Sequence, residues 1–275
     1  QFHAGKPYVS LKPLFQWKAI LGYFYMMLVM FFSTSTSLLT SYLTTILKVD
    51  STHSYTLYIW LLPGYLAGAF ICFWWFRWQR WRFRFLIAGG MACFAFFFGA
   101  LYFGISPDST YEMLYLPLFL RGLGMLTLII AFALFAVEDL PPKYLLSNAF
   151  FLITVRSVLT PVIASAFYNN MLYRLQQKYM VQLSENITAT DPLSASRYAS
   201  ALNSGLAQGH DIDEASQIAT QTLYSILQQQ STLLALKHIL GWLFLITLVI
   251  AIVSRFIPFH KTVRVPVIHT GEDMV

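Results

Sequence analysis

Six stretches of the chain stay apolar for about the 20 residues that a helix needs to cross the hydrocarbon core of a bilayer. They run from about Ala19 to Leu47, Tyr55 to Phe76, Phe85 to Gly104, Met113 to Val137, Tyr144 to Tyr173 and Leu233 to Pro258. None alternates apolar and polar residues with the period of two of a barrel strand, and lipid admits only helices or closed barrels. The pattern predicts an all-α membrane protein, a six-transmembrane-helix bundle. Residues 1–18 read as a lead-in, 19–173 as spans one to five, 174–230 as a helical loop outside the membrane, 231–258 as span six and 259–275 as a tail.

Within 174–230 the polarity rises, with Ser, Ala and Gln prominent. Asp191-Pro192 reads as an N-cap followed by proline at the first helical position. Asp211 with Glu214 three residues on resembles a capping box, with Asp in place of Ser or Thr. Gly205 and Gly209 are expected to break the two pieces apart, the second running on through Ile218, Leu223 and Leu227 into span six. Asn186-Ile187-Thr188 spells a glycosylation sequon, a three-residue match of little specificity.

Composition agrees with the spans. Of the 275 residues 57% are hydrophobic and only 11% charged, about half the charged share of a soluble domain. That excludes disorder and leaves too little polar surface for a water-exposed globule. The two cysteines, Cys72 and Cys93, lie in apolar runs, so neither a disulfide framework nor a thiolate metal site is expected. The net charge of +6 bears on orientation and not on nucleic acid. Lys6, Lys12 and Lys18 precede span one, and Arg77, Arg80, Arg82 and Arg84 crowd the turn between spans two and three. Lys143 joins spans four and five, and Arg255, Lys261 and Arg264 follow span six. The opposite side holds Lys48, Arg174, Lys178, Arg197 and Lys237. The positive-inside rule then puts both termini in the cytoplasm, with Trp74, Trp75, Trp78 and Trp81 anchoring the same edge. The chain starts at Gln1 without a leader-like segment, which reads as the later part of a longer protein.

Candidate chemistry lies in the polar residues inside the spans. Arg121 sits roughly 8 residues into span four, ~12 Å below the outer surface, and Arg156 lies near the midplane of span five. Each either pairs with backbone carbonyls and holds the bundle together, or faces a water-filled cavity and binds an anion, a carboxylate or a substrate. Span one carries a hydroxyl stripe, Ser33, Ser37, Thr40 and Thr44, which either bonds between helices or lines a polar pathway. Gly64 and Gly68 form a small-xxx-small pair suited to close packing. Pro63 and Pro161 are expected to kink spans two and five. No Asp or Glu lies deep in a span, which leaves Glu112, at the mouth of span four, and His238 as proton-coupling candidates. No motif for a metalloprotease, a serine hydrolase or a nucleotide-binding loop occurs, so an enzyme is not expected, nor a metal or cofactor.

Taken in order, the run Leu116-Pro117-Leu118-Phe119-Leu120-Arg121-Gly122-Leu123-Gly124, then Asp139-Leu140-Pro141-Pro142-Lys143-Tyr144-Leu145, then Thr154-Val155-Arg156-Ser157-Val158-Leu159 resembles one half of a major facilitator superfamily transporter. More narrowly it resembles the C-terminal half of the fourteen-helix drug:proton antiporters, the multidrug-resistance permeases. The basic turn after span two lacks the Gly and Asp of the family's loop motif. The resemblance implies a fold of two six-helix bundles around a central cavity, of which the N-terminal half is missing here. Spans one and four would line the cavity, spans two and five would meet the other bundle, and spans three and six would face lipid. It also implies Arg121, Gly122 and Gly124 in the transport pathway, with proton-coupled efflux of small amphipathic organic compounds across an inner membrane, sometimes with a periplasmic adaptor protein. The competing expectation is a membrane scaffold that docks a partner through residues 174–230.

Overall fold

The computed structural model describes residues 17–50, 55–78, 83–107, 109–137, 141, 144–185 and 192–256. Outside them lie Lys6, Lys12, Arg80, Trp81, Arg82, Glu138, Asp139, Lys143, the sequon at Asn186, Asp191, Lys261 and Arg264. Among the described residues every regular element is a helix. Six are long and apolar enough to cross a membrane: Ala19–Thr45, Tyr55–Arg77, Phe83–Gly104, Tyr111–Val137, Leu145–Glu185 and Ile212–Phe256. The six spans match those read from the hydrophobic pattern.

Side-chain contacts fix how the spans run. Span one lies antiparallel to span four, with Gly22 against Ala136 and Tyr25 stacked on Phe132 at 4.9 Å. It lies parallel to span five, where Tyr23 meets Asn148 and Phe31 meets Phe167 and Tyr168. Spans two and four run parallel and backbone to backbone. A Cβ on Gly64 would strike the carbonyl of Phe119, and one on Gly122 would lie 2.5 Å from the carbonyl of Leu61. The expected close packing at Gly64 and Gly68 is therefore present, and Gly122 is its counterpart on span four. Spans three and six pair antiparallel, with Gly99 under Phe244 and Gly241 under Tyr102. Inside lipid such contacts rest on dispersion and shape, since leaving lipid for protein gains no hydrophobic free energy. The packed centre is aromatic: Phe32, Phe94, Phe97, Phe98 and Phe132 are all fully enclosed.

Spans two and five are the least enclosed of the six, and they present Leu62, Leu66, Phe70 and Phe73, and Leu146, Phe150, Ile153 and Val162. Span three departs from the expectation of a lipid-facing helix. It is as enclosed as span four and leaves a narrow stripe, Gly89, Ala92, Phe96 and Phe103, open together with Tyr102 at its end.

Both prolines distort their helices one turn upstream. Proline cannot donate to the carbonyl four residues back and clashes with it. For Pro63 that residue is Ile59, and Tyr58–Trp60 forms a tight 3-10 turn. For Pro161 it is Ser157, and Val155–Leu159 widens into a π-turn in which the Val155 carbonyl accepts both the backbone N–H and, at 2.7 Å, the hydroxyl of Thr160. The expected kinks take the form of changes in helix type.

The loop region is helical to a greater extent than its polarity suggests. Span five continues as helix to Glu185, so residues 174–185, the first part of the expected helical loop, are continuous with it. A separate helix, Pro192–Ala207, starts at the expected proline. Gly205 does not break it and instead lies against Ala215, its position filled by the neighbouring helix. The break is at Gly209, whose φ of +89° only glycine adopts freely. There the N–H of His210 donates to Gly205 and that of Gly209 to Leu206, the Schellman pattern. The helix that runs on into span six starts at Ile212, directly after the expected cap at Asp211. Asp211 accepts from the N–H of Ile212 at 2.8 Å, while Glu214 turns to His210 at 3.1 Å, so the reciprocal capping box does not form. At 45 residues this helix is roughly 67 Å long, about twice the hydrocarbon thickness. Spans five and six therefore project well beyond the membrane, with Pro192–Ala207 laid against span six.

Candidate functional site

Span one is broken. Its first half, Trp17–Ser33, and its second, Thr36–Thr45, are separated by a turn in the run Ser33-Thr34-Ser35-Thr36-Ser37. Short hydroxyl side chains compete with the backbone for its own hydrogen bonds. Here Thr34 Oγ1 donates to the Met30 carbonyl at 2.8 Å and Thr36 Oγ1 to that of Ser33 at 3.0 Å. The backbone replaces the regular ladder with shorter-range bonds: Ser35 to Phe32, Ser37 to Thr34, and Leu38 to Ser35. Broken backbone at membrane depth needs polar partners from elsewhere, because lipid supplies none.

Arg121 supplies them. Its Nη2 donates both to the Ser33 carbonyl and to Thr36 Oγ1, one bond to each half of the break. The guanidinium also lies over the face of Phe97, 5.4 Å from the ring centre. Around it stand three tyrosines, each tied to a different element. Tyr168 of span five donates to the Phe31 carbonyl at 3.1 Å, Tyr58 of span two meets Thr40 at 3.0 Å, and Tyr65 points to Met125 Sδ at 3.3 Å. Ser33 donates to the same sulfur at 3.2 Å. Four spans thus converge on one turn.

Arg121 is only 3% exposed in this arrangement. Of the two roles weighed for it, the geometry is that of pairing with backbone carbonyls. Yet the pairing is incomplete. Nε and Nη1 are buried without a hydrogen-bond partner, as is the hydroxyl of nearby Ser35. A buried guanidinium with idle donors is costly to hold, which marks the turn as a place of stored instability. Gly122 and Gly124 both lie where helices pack closely. Gly122 abuts span two, and a Cβ on Gly124 would lie 2.8 Å from the carbonyl of Gly90 on span three.

The hydroxyl stripe divides. Ser33 belongs to the break, and Ser37 bonds weakly to Thr34 at 3.5 Å. Thr40 and Thr44 are exposed and bond back to their own helix, to the carbonyls of Thr36 and Thr40. Arg156 is the opposite of Arg121. It sits on the π-turn of span five, exposed, and makes no hydrogen bond or ion pair with the described residues. It lies about 11 residues from the start of the helix, roughly 17 Å along its axis and close to the middle of the hydrocarbon.

The two proton-coupling candidates lie apart from this centre. Glu112 is exposed in the turn Tyr111–Leu114 at the mouth of span four. His238 is half-buried and uses both ring nitrogens. Nε2 accepts from the Trp242 indole at 3.1 Å, and Nδ1 meets the Tyr179 hydroxyl at 2.8 Å. An indole N–H only donates, so Nε2 carries no proton in this arrangement and Nδ1 carries it. Spans one, five and six line an open apolar pocket of about 370 Å³ between Phe31, Phe167, Tyr168, Trp242 and Leu243. Among the described residues no three His, Cys, Asp or Glu side chains are grouped to hold a metal ion.

Sequence reasoning missed the break in span one, although five consecutive hydroxyl residues were a readable signal. It also missed Tyr58, Tyr65 and Tyr168, which nothing in a local pattern distinguishes from other span tyrosines. No protein-family model matches the chain, and no curated protein matches it significantly.

Proposed function

We propose that the chain is one six-helix half of a secondary active transporter of the major facilitator type. With a second bundle it exports small amphipathic organic compounds across a cell membrane in exchange for protons. The observation that carries this reading is Arg156. A guanidinium near the midplane is expensive to place against acyl chains, by about 2.5–3.5 kcal/mol or more. Its exposure on the sparsely covered span five calls for water or a partner protein on that face. Spans two and five are the two open faces, where a second bundle would dock.

The packing order supports the same reading. Exchanging the first three spans with the last three leaves the one–four and three–six contacts in place and turns the close two–four contact into the sparser five–one contact, whereas the five–six contact has no counterpart of similar extent between spans two and three. Such internal repeats accompany alternating access around a site near the midplane. Distorted backbone in spans one, two and five is what a moving bundle tolerates where protein or water covers it. In this mechanism Arg121 locks span one across its break. Release of Ser33 and Thr36 is the local step that gives a solvated path access to the hydroxyl-rich turn. The chain has no deep carboxylate, so the proton carrier belongs to the other bundle.

The test is proton-driven uptake of a fluorescent organic cation into inverted vesicles, with the protein expressed as its gene encodes it. Arg156→Gln is expected to cut uptake at least about tenfold while membrane insertion is unchanged, and Arg156→Lys to restore part of it. Full uptake by Arg156→Gln would overturn the reading. A scaffold role is favoured by one observation, the helical projection of spans five and six with Pro192–Ala207 against it. In that case removal of residues 192–207 abolishes partner capture and Arg156→Gln has no effect.

A further inference from the structure

At the end of the bundle where span two finishes and span three begins, two cations meet on one aromatic ring. Arg255, in the last turn of span six, has its Cζ 4.4 Å from the ring centre of Phe85, and Arg84 has its Cζ 5.4 Å away. Trp75 of span two lies against the same ring at 6.4 Å between centres, and its indole N–H is buried without an acceptor. Among the described residues neither arginine forms an ion pair with a carboxylate. Arg255 is exposed and Arg84 half-buried, so both guanidiniums can be reached from outside the bundle.

Two like charges held on one ring at the edge of a low-dielectric bundle repel, and a cation–π contact offsets each only weakly at an exposed site. The fold nevertheless brings them together from two helices that are distant in sequence. An anion between them would remove the repulsion. At this height, at the ends of three membrane-spanning helices, the anion that a bilayer presents is the lipid phosphate.

We propose that Arg84, Arg255 and the Phe85–Trp75 platform form a binding site for the headgroup of an anionic phospholipid. The two guanidiniums take the phosphate, and the rings form the apolar floor for the glycerol and upper acyl chain. A net charge of two favours an anionic lipid over a zwitterionic one. This rests on the membrane-spanning character of the helices and not on transport, so a failed uptake assay leaves it standing.

The experiment is native mass spectrometry of the full chain released from nanodiscs of mixed phosphatidylglycerol and phosphatidylcholine. The intact protein is expected to retain phosphatidylglycerol at least about tenfold over its share of the bilayer. Arg84→Gln with Arg255→Gln should reduce that preference to near unity, and Arg255→Gln alone, at an exposed helix end, by about threefold. Added inorganic phosphate at millimolar concentration should not displace the lipid. No preference in the intact protein, an unchanged preference in Arg255→Gln or in the folded double variant, or displacement by inorganic phosphate would each overturn the proposal.

Discussion

Span four and span five each carry one arginine at membrane depth, and the bundle treats the two in opposite ways. Around Arg121, glycines on both sides of the helix let spans two and three approach to backbone contact, and the side chain is driven onto the broken turn of span one. Around Arg156 no such glycines occur, Pro161 widens the helix into a π-turn, and the side chain is left outward. The same residue type therefore closes a gap within this bundle in one place and addresses whatever covers the bundle in the other. Depth in the membrane alone does not separate these roles. The size of the neighbouring residues does, because only a closely packed helix can enclose a guanidinium.

The contrast can be broken most directly at Arg121. Arg121→Ala removes both bonds to the break and leaves a cavity, and is expected to destabilise the protein by about 3 kcal/mol in reversible unfolding in detergent. Arg121→Met should cost much less, because it fills the space and removes a charge with idle donors. If the two variants are equally damaging, the charge itself is needed and the cap is not the explanation. Next in size is Gly64→Val, which forces spans two and four apart. About 2 kcal/mol is expected, read in the same assay, together with new water-soluble maleimide labelling of Arg121→Cys in the Gly64→Val background. Thr36→Val keeps the shape and removes one acceptor of Arg121, for about 1 kcal/mol. Smallest is Arg156→Gln, within about 0.5 kcal/mol of the parent because nothing in the bundle holds the side chain. Arg156→Cys should be labelled by maleimide in membranes when Arg121→Cys is not. Equal labelling would remove the distinction between the two sites.

Much of this architecture is legible in the amino acids, and the failures have physical reasons. The number of spans follows from apolar length, since hydrocarbon thickness leaves no freedom. The start at Pro192 and the restart at Ile212 follow from end chemistry. The same reasoning did not foresee that the helix of span five runs on past Tyr173 without a break, because Arg174, Gln176, Gln177 and Lys178 are polar and yet good helix formers once they leave the membrane. The hydroxyl residues of span one were read by their spacing, which assumes an intact helix. Their density, five in succession, is what breaks it. Arg121 was visible as an unusual residue. Its partners were not, because a carbonyl 88 residues away becomes a neighbour only when spans one and four pack.

Span six runs unbroken from inside the membrane to Ile212, and an uninterrupted rod behaves as a lever. Roughly 25 of its residues, about 37 Å, extend past the bilayer. A tilt of ~10° where the rod leaves the lipid would sweep its tip by roughly 6 Å. Any rearrangement in the buried portion is thereby amplified outside the membrane, and a load placed on the tip is returned to the interior with the same leverage.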